Sequence, residues 1–261
     1  MTDKILTERK GAVGWIVFNN PARHNAVSLE MWQGADDALR EFQADDGVRL
    51  IAITGAGEKS FISGADISKF EDERAQAEAV AKYDKVSTGF VEALATTEKP
   101  TLARINGYCL GGGLNVALCC DLRIAAECSQ FGIPAAKLGL GYSYKNFRRL
   151  VDVVGLANAR EITFIGERIG TTRAYEMGLL NRVVARATLD EMVTSMTETI
   201  AANAPLTVRA FKINALEHAK DPADRDIQRT RDAVKACFDS ADYIEGRRAF
   251  MDKRKPAFKG Q

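Results

Sequence analysis

Alternation of hydrophobic and polar residues opens the chain in two short runs. Ile5–Arg9 and Val13–Asn19 follow the two-residue period of a β-strand, and Lys10-Gly11 between them is typical of a hairpin turn. After a loop, apolar residues recur every three to four positions behind Ser28, which can cap a helix. The pattern predicts a hairpin and then an amphipathic helix with an apolar face made of Met31, Ala35, Ala38, Leu39 and Phe42.

Apolar runs of strand length then alternate with helical segments. Strands are predicted at Leu50–Thr54, Leu102–Ile105 and Leu122–Ala125. The stretch 71–94 between the first two is rich in Ala, Glu and Lys, and we expect a helix on the surface there. The segment Leu114–Cys120 is apolar on nearly every side, which indicates a helix inside the core. Strands and helices in alternation favour an α/β fold with crossover connections.

The second half of the chain changes character. From Lys145 onward the pattern is almost wholly helical, and the composition shifts near Thr188. We therefore predict two units, a core over residues 1–187 and a helical C-terminal subdomain over residues 188–261.

Charge and composition exclude several classes of protein. The 261 residues carry 36 Lys and Arg against 35 Asp and Glu, without a long run of one sign, so binding to nucleic acid or to an anionic membrane is not expected. No apolar run approaches the roughly 20 residues that span a bilayer, and the N-terminus lacks the features of a targeting segment. The five cysteines form no metal-binding pattern and are interpreted as free thiols. A cytoplasmic protein without a metal is expected.

Two glycine-containing turns are candidates for chemistry. One covers residues 61–67, and the other ends in Gly111-Gly112-Gly113 at the start of a predicted helix. The first N–H groups of a helix have no partner within the helix, and its dipole favours negative charge. Two such turns facing each other can hold one oxyanion between two backbone N–H groups, although each turn alone is also explained by structure. Neither turn has the pattern of a phosphate-binding loop.

These turns belong to a series of motifs through which the chain resembles the crotonase, or enoyl-CoA hydratase/isomerase, superfamily. The motifs span nearly the whole chain in the order of that superfamily: Pro21-x-x-x-Asn25-Ala26-Val27, Phe61-x-x-Gly64-x-Asp66-Ile67, Asn106-Gly107-Tyr108-x-x-Gly111-Gly112-Gly113, Cys120-Asp121, Phe131-Gly132-x-Pro134, the segment around Ala174–Leu179, and Ala249–Pro256. The resemblance implies a ββα-superhelix core with a helical C-terminal region for trimerisation, often as a dimer of trimers.

The resemblance also implies the roles of individual residues. The N–H groups of Ala65 and Gly112 would form the oxyanion hole for the carbonyl of an acyl-coenzyme A (acyl-CoA) thioester. The thioester is the substrate, and no separately bound cofactor is expected. Further residues would line the path of coenzyme A, the last two commonly from a neighbouring subunit: Arg23, His24, Ala26, Ser63, Asp66, Ile67, Ser68, Phe250 and Lys253.

Two departures from the superfamily pattern bear on the reaction. A typical hydratase has glutamates where this chain has Asn115 and Ala135. Hydration needs a base to activate water and an acid to protonate the α-carbon, each worth about 10²–10⁴ in rate. Neither Asn nor Ala transfers a proton near pH 7. Ser143 stands where dienoyl-CoA isomerases and an aryl-CoA dehalogenase have aspartate, which argues against those two reactions.

A tyrosine at position 142 favours decarboxylation as the reaction. Methylmalonyl-CoA decarboxylase, a member of the same superfamily, has a tyrosine at the position of Tyr142 and a similar tail, but keeps the glutamate that Asn115 replaces and has histidine in place of Ala65. We therefore predict a C–C lyase of the decarboxylase kind, with Ala65, Gly112, Tyr142 and Asn115 as catalytic residues. The alternatives are a hydratase or isomerase with substituted catalytic groups, a hydrolase, and a CoA-binding or scaffold protein without catalysis; RNA binding finds no basic stripe to support it.

Overall fold

Two β-sheets organise the part of the chain that the computed structural model describes, residues 2–66 and 77–261. The six strands of the larger sheet are, in spatial order, β1 (Ile5–Lys10), β2 (Val13–Phe18), β3 (Leu50–Gly55), β5 (Thr101–Ile105), β7 (Leu122–Ala126) and β10 (Arg182–Val184). The four strands of the smaller sheet are β4 (Ser60–Ile62), β6 (Tyr108–Leu110), β8 (Gln130–Gly132) and β9 (Ile169–Gly170).

The strands run mostly parallel. Only β1 with β2 and β8 with β9 pair antiparallel among the described strands. Strands β3 and β5 are neighbours in the larger sheet, and each continues after a short connection into a neighbouring strand of the smaller sheet, β4 and β6. The two connections and the turns that follow them therefore lie side by side at the carboxyl ends of the parallel strands.

Nine helices surround the sheets in the described part of the chain. They are α1 (Leu29–Ala44), α2 (Ala77–Thr96), α3 (Gly112–Cys119), α4 (Tyr144–Ile165), α5 (Thr171–Glu176), α6 (Leu189–Ala202), α7 (Pro205–His218), α8 (Ile227–Phe238) and α9 (Ala241–Met251). Helix α4 bends at Gly155, whose φ of 76° leaves the helical region, and it ends at Gly166 in the left-handed conformation.

The main hydrophobic core lies between the sheets and the first four helices. Its largest fully buried side chains include Phe18, Phe61, Phe90 and Phe131. A second, smaller core forms where α6 covers the opposite face of the larger sheet, with Leu189 and Val193 against strand residues such as Leu50, Ala52, Leu102 and Ile124. Strand β3 is therefore buried on both faces, which explains its continuous apolar run.

The structure confirms the predicted α/β class and the opening hairpin, and it corrects two details. Helix α1 begins after Ser28 as predicted, but the Ser28 side chain makes no capping bond to the helix and instead donates to Glu30 Oε1 at 3.4 Å. The described part of the stretch 71–94 is not a surface helix, because Tyr83 and Phe90 of α2 are buried. Since their spacing is seven residues, one stripe of α2 faces the core.

The two-unit division at residue 188 stays a prediction. The short 3-10 turn Arg186–Thr188 does separate β10 from α6. Contacts nevertheless cross the division: Arg49 donates to the carbonyls of Ala201 and Phe258, and Lys212 Nζ lies 2.6 Å from Asp121 Oδ1. The C-terminal helices are thus fastened to the sheet by polar contacts as well as by α6.

Within residues 2–66 and 77–261, none of the helices is both long and apolar enough to cross a membrane. In that same part of the chain, His, Cys, Asp and Glu side chains form no group of three suited to a metal ion.

Candidate active site

A buried asparagine fixes the loop that precedes α1. The Asn25 side chain accepts from the Asn20 amide and donates to the carbonyls of Ala56 and Ser60, at 2.8 to 2.9 Å. Its φ of 55° is a left-handed conformation that asparagine tolerates better than most residues do. The loop is therefore attached to both ends of the β3–β4 connection.

This attachment brings Val27 alongside the first glycine turn. The Val27 amide donates to Gly64 O at 2.9 Å, and the Asp66 amide donates to Val27 O at 3.1 Å. In a parallel bridge of this kind, the residue between those two partners directs its own N–H away from the neighbouring strand. The N–H of Ala65 consequently points to the other side, where no described residue accepts a hydrogen bond from it.

The second turn lies on that other side. Gly111 precedes α3, and Gly112 is its first residue, so the Gly112 N–H has no acceptor within the helix. The two turns are close: a Cβ placed on Gly64, whose φ is 111°, would stand 3.9 Å from the Gly112 nitrogen. A Cβ on Gly113 would overlap the carbonyl oxygen of Ile62, so only glycine lets the helix start approach β4 this closely.

Two amides without acceptors in the described structure therefore belong to turns that approach each other closely. Both belong to backbone segments that are fixed by hydrogen bonds, and one lies at the positive end of a helix dipole. Such a pair of donors can stabilise a negative oxygen without reorganising at the moment of reaction.

Two of the predicted catalytic side chains carry buried polar atoms without a described partner. Asn115 lies on the first turn of α3 and is buried, and no described group hydrogen-bonds its Oδ1; the same holds for the hydroxyl of Tyr142. Cys119 is four residues after Asn115 and hence on the same face of the helix. The Tyr142 side chain packs against the main core, to which Cys119 also belongs.

Burial keeps these groups neutral. It raises the pKa of the Tyr142 phenol well above its ordinary value, against a smaller opposing effect of Arg149. Burial likewise raises the pKa of the Cys119 thiol to about 11. Around neutral pH, Asn115, Tyr142 and Cys119 therefore present an amide, a phenol and a thiol, without a charged base among them.

Asn115 and Ala135, at the positions where a typical hydratase has glutamates, carry no acid or base. Ala135 lies in the 3-10 turn Pro134–Leu138 and packs, half-buried, against the main core. Ser143 is the N-cap of α4 and accepts from the Asn146 amide at 3.3 Å, which accounts for its hydroxyl.

A charged cluster holds the segment that carries Tyr142. Glu92 of α2 binds Lys145 Nζ at 2.5 Å and Arg149 Nη2 at 2.6 Å, and these two residues lie on the first turns of α4. Burial alone would raise the pKa of Glu92, but the hydrogen bonds from the two cations outweigh it and lower the pKa. Glu92 therefore stays ionised and fastens α4 to α2.

The predicted coenzyme A residues fall into two groups. Around the first turn, Ala26 and Asp66 are buried, the Ser63 amide donates to His24 O, and Arg23 Nη1 lies 4.0 Å from Asp66 Oδ1. The exposed His24 ring meets the edge of Tyr108 at 5.6 Å, and the Arg168 guanidinium lies over the same ring at 4.8 Å. Beside His24, a cavity of about 400 Å³ is also lined by Lys59 and Arg186.

Phe250 and Lys253 lie in the C-terminal region. Phe250 is 83% exposed and lines an apolar cavity between the C-terminal helices, and Lys253 follows the end of α9 with a φ of 53°. Ile67 and Ser68 lie outside the described residues.

Sequence reasoning did not identify three residues of the site region: Trp32, Tyr83 and Glu92. Trp32 follows Met31 on α1 and is not among the five residues of the predicted apolar face. Tyr83 and Glu92 lie in the stretch that was expected on the surface. An aromatic residue and an acid placed nine positions apart in a helix give no pattern that distinguishes them from chance.

Comparison with known proteins gives a consistent result over the full length. The family model described as enoyl-CoA hydratase/isomerase matches residues 8–261. The chain is 32% identical to a crotonyl-CoA hydratase of Syntrophomonas wolfei over 98% of both chains, and 30% identical to a carnitinyl-CoA dehydratase of Escherichia coli over 100% of both.

Solved structures agree with the sequence relatives. A crystal structure described as an enoyl-CoA hydratase/carnithine racemase from Magnetospirillum magneticum has a TM-score of 0.94 and 35% identity, covering 100% of this chain and 97% of that one. An enoyl-CoA hydratase from Bacillus anthracis has a TM-score of 0.93 and 30% identity, covering 99% of this chain and 100% of that one.

Proposed function

The chain belongs to the enoyl-CoA hydratase/isomerase family and has its crotonase fold, and on this basis we propose that it cleaves a C–C bond of an acyl-CoA thioester by stabilising the enolate that forms. The observation that carries the proposal is that the Ala65 and Gly112 amides have no acceptor among the described residues, while Asn115 and Ala135 stand where the family resemblance implies carboxylates. The Asn115 Oδ1 and the Tyr142 hydroxyl are neutral and have no described partner.

The two amides supply the first part of the mechanism. The thioester carbonyl oxygen of the substrate is held between the N–H groups of Ala65 and Gly112, and both hydrogen bonds strengthen as the oxygen becomes negative. A single donor of this kind contributes about 10²–10³ in rate.

Decarboxylation suits such a site because it needs no base. The bond between the α-carbon and a carboxylate breaks, CO₂ departs, and the electron pair passes into the enolate held by the amides. One proton then adds to the α-carbon and gives the shortened acyl-CoA. Tyr142 is the proposed donor of this proton, directly or through water, because its phenol is protonated around neutral pH. The Asn115 amide orients the departing carboxylate.

The coenzyme A part of the substrate is proposed to run past the loop of Arg23 and His24. Lys59, Arg168 and Arg186 add positive charge around this loop, and phosphate groups are recognised by such side chains. Ala26, Ser63 and Asp66 line the inner part of the path. Phe250 and Lys253 are exposed, which supports the proposal that they bind the coenzyme A of a neighbouring copy. Ile67 and Ser68 are proposed to bind the coenzyme A of their own chain.

Hydration of an enoyl-CoA is the second candidate. It is favoured by the names of the relatives, which are hydratases and a dehydratase. In this case Asn115 and Tyr142 would hold the attacking water without a carboxylate, at the cost of the rate that a positioned base supplies.

One experiment separates the candidates. The purified protein is incubated with malonyl-CoA, methylmalonyl-CoA and crotonyl-CoA, and the products are followed by mass spectrometry. We expect loss of CO₂ from one of the first two and little hydration of crotonyl-CoA. Hydration at about 10 turnovers per second, ordinary for an enzyme, would refute the lyase proposal.

The Tyr142→Phe variant tests the residue assignment. It should lower kcat for decarboxylation while the affinity for acetyl-CoA stays nearly unchanged, because the hydroxyl acts mainly in the transition state. Tyr144→Phe, on an exposed neighbour, is the matched control and should leave both quantities unchanged. Equal kcat for the wild type and Tyr142→Phe would remove Tyr142 from the mechanism.

A further inference from the structure

Two buried aromatic side chains form a hydrogen-bonded pair between α1 and α2. The Trp32 indole N–H donates to the Tyr83 hydroxyl at 2.9 Å, and that hydroxyl donates to the carbonyl of Val27 at 3.3 Å. Trp32 is 3% exposed and Tyr83 is 4% exposed. The pair is therefore a buried polar contact beside an aromatic cluster that includes Phe18 and Phe90.

Each end of the pair lies near one of the two turns of the proposed oxyanion hole. Val27, the acceptor for Tyr83, is the residue whose bridge to Gly64 and Asp66 directs the Ala65 N–H to the opposite side. At the other end, atom Cζ2 of the Trp32 ring lies 3.7 Å from the position that a Cβ on Gly112 would occupy. One hydrogen-bonded unit thus connects the strand behind Ala65 to the turn that carries Gly112.

We propose that Trp32 and Tyr83 are positioning residues that set the separation and direction of the Ala65 and Gly112 amides. The proposal rests on the oxyanion hole proposed above. The strands that lead into the two turns, β4 and β6, are paired in the smaller sheet, and the Trp32–Tyr83 pair adds a second connection from the side of α1 and α2. A misplacement of about 1 Å in such a site costs about 10²-fold in rate, which gives this support its value.

The ordinary explanation for the pair is packing of α2 against α1. The two explanations differ in what the Tyr83 hydroxyl does. Packing depends on the ring, which phenylalanine preserves, whereas alignment depends on the bonds from Trp32 and to Val27. Phe90 serves as a matched reference, because its ring packs against Trp32 at 5.7 Å and has no side-chain group that can donate a hydrogen bond to either half of the hole.

The test uses acetyl-CoA labelled with ¹³C at the thioester carbonyl. It is bound to the wild type, to Tyr83→Phe and to Phe90→Leu, and difference infrared spectroscopy measures the frequency of the carbonyl stretch in each complex. Two aligned donors polarise the carbonyl and lower its frequency. We expect a shift to lower frequency in the wild type and in Phe90→Leu, and loss of at least about half of the shift in Tyr83→Phe, with acetyl-CoA affinity changed less than about threefold.

The outcomes separate the two proposals. A full shift in both the wild type and Tyr83→Phe would overturn the positioning role and leave the oxyanion hole standing. No shift in the wild type would overturn the oxyanion hole itself. An equal loss in Tyr83→Phe and Phe90→Leu would assign the pair to packing alone. If Tyr83→Phe does not fold, Trp32→Phe is measured in the same way. This variant removes the indole N–H that binds Tyr83 and the part of the ring that lies near Gly112.

Discussion

At the scale of single residues, the site depends on backbone segments that approach one another more closely than side chains allow. The Ile62 carbonyl occupies the space in which Gly113 would carry a Cβ, and the Asn25 side chain replaces backbone partners for three groups in its own loop and in the β3–β4 connection. Small changes in volume at these positions therefore act on the position of the Ala65 and Gly112 amides.

Gly113→Ala should destabilise the fold by about 1–3 kcal/mol, because the methyl group overlaps a fixed carbonyl. Gly89→Ala is the matched control in α2. Nothing lies within 4 Å of its Cβ position, so removing a helical glycine should stabilise the protein by up to about 1 kcal/mol. Urea denaturation measures both, and a neutral Gly113→Ala would contradict the close approach of β4 and α3.

Glutamates introduced at positions 115 and 135 test whether the missing carboxylates are what limits hydration. Asn115→Glu combined with Ala135→Glu should raise hydration of crotonyl-CoA by at least about 10²-fold if the site admits this substrate. The Asn115→Gln and Ala135→Gln double variant has the same size without the ionisable groups and should show no gain. The measurement is the loss of enoyl absorbance on hydration. An equal gain in both double variants would show that carboxylate chemistry is not the missing element.

At the scale of elements, ion pairs join α7 to α8 and to the end of α2. The buried Glu217 of α7 binds Lys220 and Arg229 at 2.7 Å and accepts a hydrogen bond from the Asp226 amide at 2.9 Å. Arg229 also forms an ion pair with Glu98 at 2.6 Å. The hydrogen bond from Lys220, the Asp226 amide and the bond from Arg229 lower the pKa of Glu217 to about 2 against the opposing effect of burial.

The lowered pKa makes a prediction about acid stability. A carboxyl group with an ordinary value of 4.5 and a folded value of about 2 stabilises the fold fully above pH 4.5, and this contribution is lost as the pH falls toward 2. Glu217→Gln should therefore be less stable than the wild type at pH 7, with a difference that shrinks between pH 4.5 and pH 2. Chemical denaturation across this range measures the difference.

The control for this series is Glu198→Gln, an exposed position on α6. It should change the free energy of unfolding little at any pH. A difference between wild type and Glu217→Gln that stays constant from pH 7 to pH 2 would contradict the role of the ionised group and assign the loss to packing.

At the scale of the whole molecule, the C-terminal helices leave a large apolar surface uncovered. Phe211, Phe238 and Phe250 are 60–83% exposed, and the cavity of about 580 Å³ beside them is almost entirely apolar. Scattered apolar residues are ordinary on a protein surface, but a continuous apolar patch marks an interaction site. A second copy of the chain is the proposed partner, as a trimer or a dimer of trimers.

Light scattering should therefore give three or six times the chain mass of 28.5 kDa at micromolar concentration. Phe238→Asp should weaken the assembly by placing a charge in an apolar interface. Leu6→Asp, on the edge strand β1, changes an apolar residue that is 45% exposed and should leave the assembly intact. A monodisperse wild-type monomer would refute the assembly proposal.

The sequence by itself determined the α/β class, the opening hairpin, the apolar face of α1 and the two glycine turns, because these follow from periodicity and from backbone requirements that act locally. It also determined which positions lack the family's carboxylates. The family motifs predicted Ala65 and Gly112 as the donors of an oxyanion hole, since a motif preserves the order of residues in a backbone turn.

Only the tertiary structure decided what surrounds those turns. The burial of α2, the Trp32–Tyr83 pair and the Glu92 cluster depend on contacts between distant residues, and the hydrogen bonds among them join residues 51 to 57 positions apart. Such contacts leave no periodic signal, because a side chain in a helix is compatible with water or with a core until another element covers it. Which face of α2 is covered depends on where α1 and α4 lie, and that is a property of the folded chain alone.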